Sequence, residues 1–227
     1  MKIALLAAMD KEVALLKNII ADGMEMEIDG VKALRGRIGV HDVLLAKCGI
    51  GKVNAALNTY KVIRAFKPDL VINSGVAGGE GGLRIGELLV AGEVAYHDVW
   101  CGPGTDPGAA DGYNAILIPS QKVLQIAKEN LDSQTTSFGL IATGDCFISK
   151  AEEISRIKAI FPHAEAVDME SAAIGQTCIS EGVEFAIIRV VSDTPGEGEN
   201  VAQYKNFWSE APAKTFAAVR QILSRLD

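Results

Sequence analysis

The sequence predicts an α/β fold in which a mostly parallel sheet is covered by helices on both faces. Short apolar runs recur along the chain, and segments with apolar residues at helical spacing alternate with them. The strands are continuously apolar, as expected of strands buried on both faces. The length of 227 residues, with 48% hydrophobic and 22% charged residues, fits one globular domain. We therefore expect a single-domain α/β sandwich over residues 1–227.

The elements follow from these patterns in chain order. Ile3–Ala8 is an apolar strand, and helical spacing predicts a helix from Asp10 to about Ala21. Met24–Ile28 and Val31–Arg37 flank an Asp-Gly pair typical of a tight hairpin. Further strands are predicted at Val43–Cys48, Leu70–Asn73, Ile85–Tyr96 (one or two strands), Thr136–Thr143, Ala164–Val167 and Phe185–Val191. Further helices are predicted at Lys52–Phe66, Pro119–Leu131, Ala151–Ile160, from Val167 to about Ser180, and at Tyr204–Leu226, with glycine-rich or polar loops at Ser74–Gly82, Cys101–Asn114 and Thr194–Asn200.

Composition excludes several classes of function. The 22 basic and 29 acidic residues give a net charge of −7, which disfavours binding to nucleic acid or an anionic membrane. The four cysteines stand far apart without metal-ligand spacing, so we expect no metal, no cofactor and no disulfide framework. Asp10-Lys11-Glu12 ends the first apolar run early, and no run is long enough to span a membrane. We expect a cytoplasmic protein.

The residues that follow each strand indicate where a site lies. In open α/β sheets, ligands bind beyond the carboxyl ends of the strands. The strand exits carry several carboxylates, two glycine-rich turns and one aromatic ring, but almost no basic side chain, since Arg189 lies within a strand and Lys52 begins a helix. These exits are Met9–Glu12, Cys48–Gly51, Ser74–Gly79, Gly144–Ile148, Asp168–Glu170 and Ser192–Thr194.

Each exit residue taken singly has a structural explanation as a cap, a turn or a packing glycine. Several carboxylates together at one edge are harder to explain structurally, because like charges raise each other's pKa, which suits a proton donor and acceptor. Gly49-Ile50-Gly51-Lys52 does not fit a dinucleotide-binding motif, because Asp69, the acidic residue twenty positions after Gly49, precedes the next strand instead of ending it. It does not fit a P-loop either, because one residue instead of four separates Gly49 from Gly51-Lys52. The composition of the edge suits an uncharged, planar, hydroxylated ligand such as a nucleoside.

Seven short motifs in order resemble the 5′-methylthioadenosine/S-adenosylhomocysteine nucleosidases of the nucleoside phosphorylase superfamily. They lie along nearly the whole chain, at 8–13, 49–53, 74–79, 96–98, 143–148, 168–170 and 192–193, and read AMDKEV, GIGKV, SGVAGG, YHD, TGDCFI, DME and SD. The resemblance implies a nucleoside phosphorylase-like fold, a three-layer α/β/α sandwich around a mixed, mostly parallel sheet. It also implies hydrolysis of an N-glycosidic bond with release of adenine, and a homodimer.

The resemblance implies a role for each matching residue. Glu12 would be the general base that activates water, and Asp193, oriented by Ser192, would be the general acid at adenine N7. Substrate-binding positions would be Met9, Ile50, Val76, Ala77, Gly78, Phe147, Ile148, Asp168, Met169, Glu170, Ser192 and Phe207. Among these, Phe147 would stack on adenine, the Ile148 backbone would read its Watson–Crick edge, Glu170 would hold the ribose hydroxyls, and Phe207 would lie over the 5′ substituent.

The chain departs from the family at several positions. Asp168 stands where many members have Glu, Val76 where some have Ser, and Thr194-Pro195-Gly196 follows the acid. A nucleoside phosphorylase, a hydrolase of another adenine nucleoside of the futalosine type, and a nucleoside-binding protein without turnover remain alternatives. A phosphorylase would need arginines beside the sugar, for which Arg84 and Arg189 are the candidates. A binding protein would not need Glu12 and Asp193.

Overall fold

The computed structural model of the chain describes residues 1–210 and 213–226. Its strands are β1 (Lys2–Ala7), β2 (Ala21–Ile28), β3 (Val31–Ile38), β4 (His41–Lys47), β5 (Leu70–Gly79), β6 (Leu88–Val90), β7 (Glu93–Tyr96), β8 (Ile116–Leu117), β9 (Thr136–Ser137), β10 (Leu140–Thr143), β11 (Ala164–Asp168) and β12 (Glu184–Asp193). Its helices are α1 (Asp10–Lys17), α2 (Lys52–Phe66), α3 (Gln121–Asn130), α4 (Ala151–Ile160), α5 (Ser171–Ser180), α6 (Asn200–Glu210) and α7 (Ala213–Leu223). None of the helices in these two ranges has the length and apolar character needed to cross a membrane.

The strands form one mixed sheet organised around β5. Residues Leu70–Asn73 of β5 pair in parallel with β1, and β12 pairs in parallel along its other edge as far as Gly78. Beyond Asn73 the path of β5 leaves β1, and Gly78 and Gly79 pair in antiparallel fashion with β11. The sheet order is β2-β3-β4-β1-β5-β11-β10-β7-β8, with β12, β6 and β9 branching from β5. The carboxyl ends of β1, β5 and β12 therefore meet at one edge.

Alternating residues of β1 separate the two helical layers. Ala4 and Leu6 belong to the buried cluster that contains helices α2 and α5. Ile3 and Leu5 belong to the cluster that contains α1, α3 and α7. Successive side chains of a strand point to opposite faces, so β1 is apolar from Ile3 to Ala7 because both of its faces are covered there. The predicted sandwich with helices on both faces of the sheet is confirmed.

Strand β5 corrects one sequence-based expectation. The segment Ser74–Gly82 was expected to be a glycine-rich loop after Asn73, but the strand continues to Gly79. These glycines serve close approach: a Cβ on Gly75 would lie 2.7 Å from Glu12 Oε1, and one on Gly79 would lie 2.6 Å from Val191 Cγ1. Backbone without side chains lets a helix residue and a neighbouring strand contact β5 directly.

Other differences concern the ends of elements. Helix α1 ends at Lys17, and its predicted last turn instead precedes β2, which begins at Ala21. The predicted strand Thr136–Thr143 is broken into β9 and β10, and Ile116–Leu117 forms a short strand that the sequence did not indicate. The predicted helix Tyr204–Leu226 becomes α6 and α7, and Ala211 and Pro212 within it lie outside the described residues.

We expect Gly79→Ala to lower the free energy of unfolding by about 1–3 kcal/mol, because the added methyl overlaps Val191 in a packed sheet. Gly92→Ala is the matched control, since its Cβ would meet no heavy atom closer than 3.9 Å and its φ is not in the left-handed region. The control should change stability by less than about 0.5 kcal/mol. Urea unfolding of both variants measures the difference, and equal midpoints and slopes would contradict the close-approach role of Gly79.

Candidate active site

Glu12 lies at the start of α1, directly after β1, with its side chain buried at 1% exposure. Its Oε2 accepts hydrogen bonds from the backbone N–H groups of Ala8 and Met9, both at 2.9 Å. Its Oε1 accepts from the backbone N–H of Val76 at 3.2 Å, across the space that Gly75 leaves open. Burial raises the pKa of Glu12, while the charge of Arg189 and the three N–H groups act to lower it. The carboxylate is thus fixed in position and retains proton affinity.

Asp193 lies at the end of β12 and is held by two neutral donors. Ser192 Oγ donates to Oδ1 at 2.7 Å, and Asn200 Nδ2 donates to Oδ2 at 3.2 Å. Burial raises the pKa of Asp193, and the two hydrogen bonds act in the opposite direction. Glu12, by contrast, lies in the field of a buried guanidinium. The two carboxyl groups therefore occupy different electrostatic environments, as a base and an acid in one site require.

Glu170 precedes α5 and contacts the first glycine turn. Its Oε1 accepts from the N–H of Gly51 at 3.1 Å. Burial raises the pKa of Glu170 to about 7, helped by the charge of Asp168 and opposed by Arg189. Gly51, with φ of +88°, has the left-handed backbone that glycine adopts without strain, and it presents this N–H at the N-terminus of α2.

An ionic cluster ties the Gly49–Gly51 turn to the loop after β10. Lys52 Nζ donates to both oxygens of Asp98 at 2.7 and 2.8 Å, and Asp98 also accepts from the N–H of Asp145 at 2.9 Å. Asp145 in turn accepts from the N–H of Lys52 at 2.7 Å. The cluster holds two walls of the site at a fixed separation.

Most of the remaining predicted residues lie at the same edge. One cleft is lined by Gly78, Phe147, Ile148, Met169, Asp193 and Pro195, among others, and an adjacent one includes Met9 and Ile50. The Phe147 ring is 45% exposed, whereas Ile148 is buried. Val76 contributes its backbone N–H, and the Ala77 carbonyl lies 3.3 Å from Ser192 Oγ. The partly exposed ring of Phe147 gives the cleft a flat wall on which a planar ligand can stack.

Asp168, for which substrate contact is predicted, is held tightly by other groups of the protein. Its side chain is 1% exposed, and Oδ2 pairs with Arg189 Nη2 at 2.7 Å and with Nε at 3.0 Å. Oδ1 accepts from Thr143 Oγ1 at 2.6 Å, and Ser171 Oγ also hydrogen-bonds the carboxylate. Both oxygens are thus engaged by the protein, and Asp168 also lines the cleft that contains Phe147 and Asp193, so its contact with substrate stays a prediction.

Phe207, which is predicted to lie over the 5′ substituent, is buried, and Tyr204 of the same helix contacts the residues of the site. Phe207 is 3% exposed and packs edge-on against Trp208. Tyr204, one helical turn earlier on α6, donates its hydroxyl to Met9 Sδ at 3.3 Å and lies edge-on to Phe147 at 5.6 Å. Burial raises the pKa of its hydroxyl, and the charges of Glu12, Asp193 and Glu170 act in the same direction.

Sequence reasoning did not predict the pairing of Arg189 with Asp168, the contact of Asn200 with Asp193 or the contact of Tyr204 with Met9. A single arginine within an apolar strand is a signal, because a buried guanidinium requires a carboxylate partner. Asn200 and Tyr204 are four residues apart and so share one face of α6, which packs on β12. The sequence placed α6 too late for that face to be recognised.

Comparison with known proteins agrees with this geometry. The phosphorylase superfamily model matches residues 2–224. A 5′-methylthioadenosine/S-adenosylhomocysteine nucleosidase of Haemophilus influenzae is 37% identical over 230 residues, covering 100% of both chains.

Two solved structures are similar over almost their full lengths. The nucleosidase of the same name from Colwellia psychrerythraea, solved in complex with adenine, has a TM-score of 0.94 at 35% identity and covers 100% of this chain and 96% of its own. The futalosine hydrolase of Helicobacter pylori has a TM-score of 0.92 at 28% identity, covering 100% and 98%. The chain therefore belongs to the phosphorylase superfamily and, within it, to the 5′-methylthioadenosine/S-adenosylhomocysteine nucleosidases.

Proposed function

We propose that this chain hydrolyses the N-glycosidic bond of 5′-methylthioadenosine, S-adenosylhomocysteine or both, releasing adenine and the 5′-thio-substituted ribose. The observation that carries the proposal is the pair Glu12 and Asp193, two buried carboxyl groups in different environments at the ends of strands on either side of β5. Relatives of this name align over the whole chain. The chain acts as one domain over residues 1–227 and needs no cofactor or metal.

The reaction divides between the two carboxyl groups. Glu12 takes a proton from a water molecule while the oxygen of that water forms a bond to the anomeric carbon of the ribose. The bond from that carbon to N9 of adenine breaks, and Asp193 gives its proton to N7, so that adenine leaves as a neutral base. The sugar passes through an oxocarbenium-like state, which the carboxylates of the site stabilise.

The other residues hold the substrate in place. Phe147 stacks on adenine, and the backbone of Ile148 reads its Watson–Crick edge. Glu170, fixed by the Gly51 N–H, accepts hydrogen bonds from the ribose hydroxyls. Met9, Ile50 and Met169 contact the sugar side, and the backbone of Val76–Gly78 forms the floor. Ser192 fixes Asp193, and Tyr204 lies over the 5′ end.

Hydrolysis is favoured over phosphorolysis because the candidate phosphate ligands are unsuited to that role. The guanidinium of Arg189 is 1% exposed, and its Nε and Nη2 donate to Asp168, Asn73 and Ser171. Arg84 is exposed on the segment between β5 and β6. A phosphate beside the sugar would have to compete with Asp168 for a buried guanidinium.

We expect adenine release from 5′-methylthioadenosine in phosphate-free buffer, at a rate that added phosphate leaves unchanged. Xanthine oxidase coupling or chromatography of free adenine measures it, with S-adenosylhomocysteine and futalosine as parallel substrates. Dependence on phosphate would make the protein a phosphorylase. Release from futalosine alone would assign it the activity for which its Helicobacter neighbour is named.

We expect Asp193→Asn and Glu12→Gln each to lower kcat by about 10²–10⁴-fold, because an amide can neither donate the proton to N7 nor accept one from water. Adenine binding, measured by calorimetry, should survive in both variants. Asp10→Asn is the matched control, since Asp10 lies on the same helix as Glu12 but is exposed and paired with Lys47. Wild-type kcat in either test variant would remove that residue from the mechanism.

We also propose that the chain forms a homodimer through the exposed face of α2. Val53, Leu57 and Tyr60 lie at positions i, i+4 and i+7 of that helix and are 75%, 51% and 45% exposed. They border an apolar cleft that continues onto α5 and includes Tyr113 of the loop 101–114. A contiguous exposed apolar stripe of this kind marks an interaction surface.

A cytoplasmic location agrees with four free cysteines, two of them exposed.

We expect Leu57→Lys to convert the dimer into a monomer, because it places a charge at the centre of this stripe. Val40→Lys is the control, since Val40 is 86% exposed in the β3–β4 turn, away from α2. Light scattering after gel filtration measures the mass of each. A wild-type monomer, or a Leu57→Lys dimer, would contradict this choice of interface.

A further inference from the structure

Asn200 is a buried polar residue that links two parts of the site. It is the first residue of α6 and is 2% exposed. Its Nδ2 donates to Asp193 Oδ2 at 3.2 Å and to the backbone carbonyl of Ile148 at 3.1 Å. One amide nitrogen carries two hydrogens, so both bonds can form at the same time. An asparagine at the start of a helix ordinarily uses its side-chain oxygen to cap the helix; here the amide nitrogen donates across the site.

We propose that Asn200 is a positioning residue for the reaction, its amide holding the acid Asp193 and the base-reading backbone of Ile148 in one fixed arrangement. The inference rests on the proposed function, which gives those two groups their roles. With Asn200 in place, the base-recognition loop and the proton donor cannot move independently. Adenine bound at Ile148 then meets the acid at its N7 without further rearrangement.

The surroundings of Asp193 leave this task to Asn200 and Ser192. Within residues 1–210 and 213–226, these two side chains donate to its carboxylate, one to each oxygen. Pro195, two residues after the acid, has no N–H to donate, and its ring fills the space beside Gly78. Val76, across on β5, offers no hydroxyl. Loss of Asn200 therefore leaves Oδ2 without its side-chain donor.

Asn200 differs in this from Gln203, the other α6 residue that contacts the end of β12. Gln203 Oε1 accepts from the N–H and the hydroxyl of Thr194, at 2.8 and 3.0 Å. Gln203 thus anchors the loop after the acid, whereas Asn200 contacts the acid itself. A comparison of variants at Asn200 and Gln203 therefore separates a direct effect on Asp193 from a general loss of the anchoring of α6.

Several titratable groups besides Asn200's partners face this region. The charges of Asp193, Glu12 and Glu170 all act on the hydroxyl of Tyr204, which lies on α6. Cys146, from the loop after β10, and Asp168 line the same cleft as Asp193. All of these groups are retained in the Asn200 and Gln203 variants, so a difference in pH dependence between the two sets of variants reports on the donor to Asp193.

The test compares pH profiles of kcat/KM for 5′-methylthioadenosine in wild type, Asn200→Leu, Asn200→Asp and Gln203→Leu. A donor to the carboxylate stabilises its ionised form, so its removal raises the pKa of Asp193. The acid then stays protonated to higher pH. We expect the basic limb of Asn200→Leu to move up by about one pH unit and kcat to fall about tenfold or more. Asn200→Asp, which is isosteric and adds a second carboxylate, should move the limb further in the same direction.

The outcomes separate this inference from the proposed function. Gln203→Leu should keep the wild-type limb, whatever it costs in thermal stability. An unchanged limb in a folded Asn200→Leu or Asn200→Asp, or an equal shift in Gln203→Leu, would overturn the inference while wild-type hydrolysis stands. If Asn200→Leu fails to fold, the isosteric Asn200→Asp decides. Absence of adenine release by wild type would overturn the proposed function and this inference together.

Discussion

The guanidinium of Arg189, buried in β12, pairs with Asp168 at the end of β11 and also contacts Asn73 of β5 and Ser171 of α5. Glu12 and Glu170 lie in its field. Without this positive charge, three buried carboxyl groups would face one another at one edge of the sheet, and their ionised forms would be strongly disfavoured. The cation thus allows an acidic site to exist inside a folded chain. It also joins three strands and a helix where their ends must converge.

The position of that cation gives the two functional carboxyl groups different properties. Glu12 combines burial with three backbone donors and the charge of Arg189, which together favour a fixed, ionisable base. Asp193 combines burial with two neutral donors, which favours retention of a proton. The charge of Arg189 thus distinguishes the surroundings of Glu12 from those of Asp193, because electrostatic interactions act strongly in a poorly solvated interior.

Local patterns in the sequence predicted most of the fold and the identity of the carboxylates, because strand exits can be located from apolar runs. They could not show that Ser74–Gly79 remains extended, since glycines typical of a turn here make room for Glu12 and Val191. They also could not show which way the Asp168 side chain points, since this depends on Arg189, 21 residues away on another strand. They also could not show that Tyr204 contacts Met9 and Phe147, because the start of α6 sets which of its residues face the site, and helix ends depend on tertiary contacts.

The central position of β5 also has a consequence for the order in which the chain matures. Its long edge partner, β12, is separated from it by about 100 residues, which corresponds to on the order of 5–20 s of synthesis. During that interval β5 exposes a glycine-rich strand edge, the kind of edge that pairs with other chains. The strand that covers this edge also delivers Arg189 and Asp193. Closure of this edge therefore also brings Arg189 and Asp193 into place, and the α6 residues that contact the site, Asn200 and Tyr204, follow later in the chain.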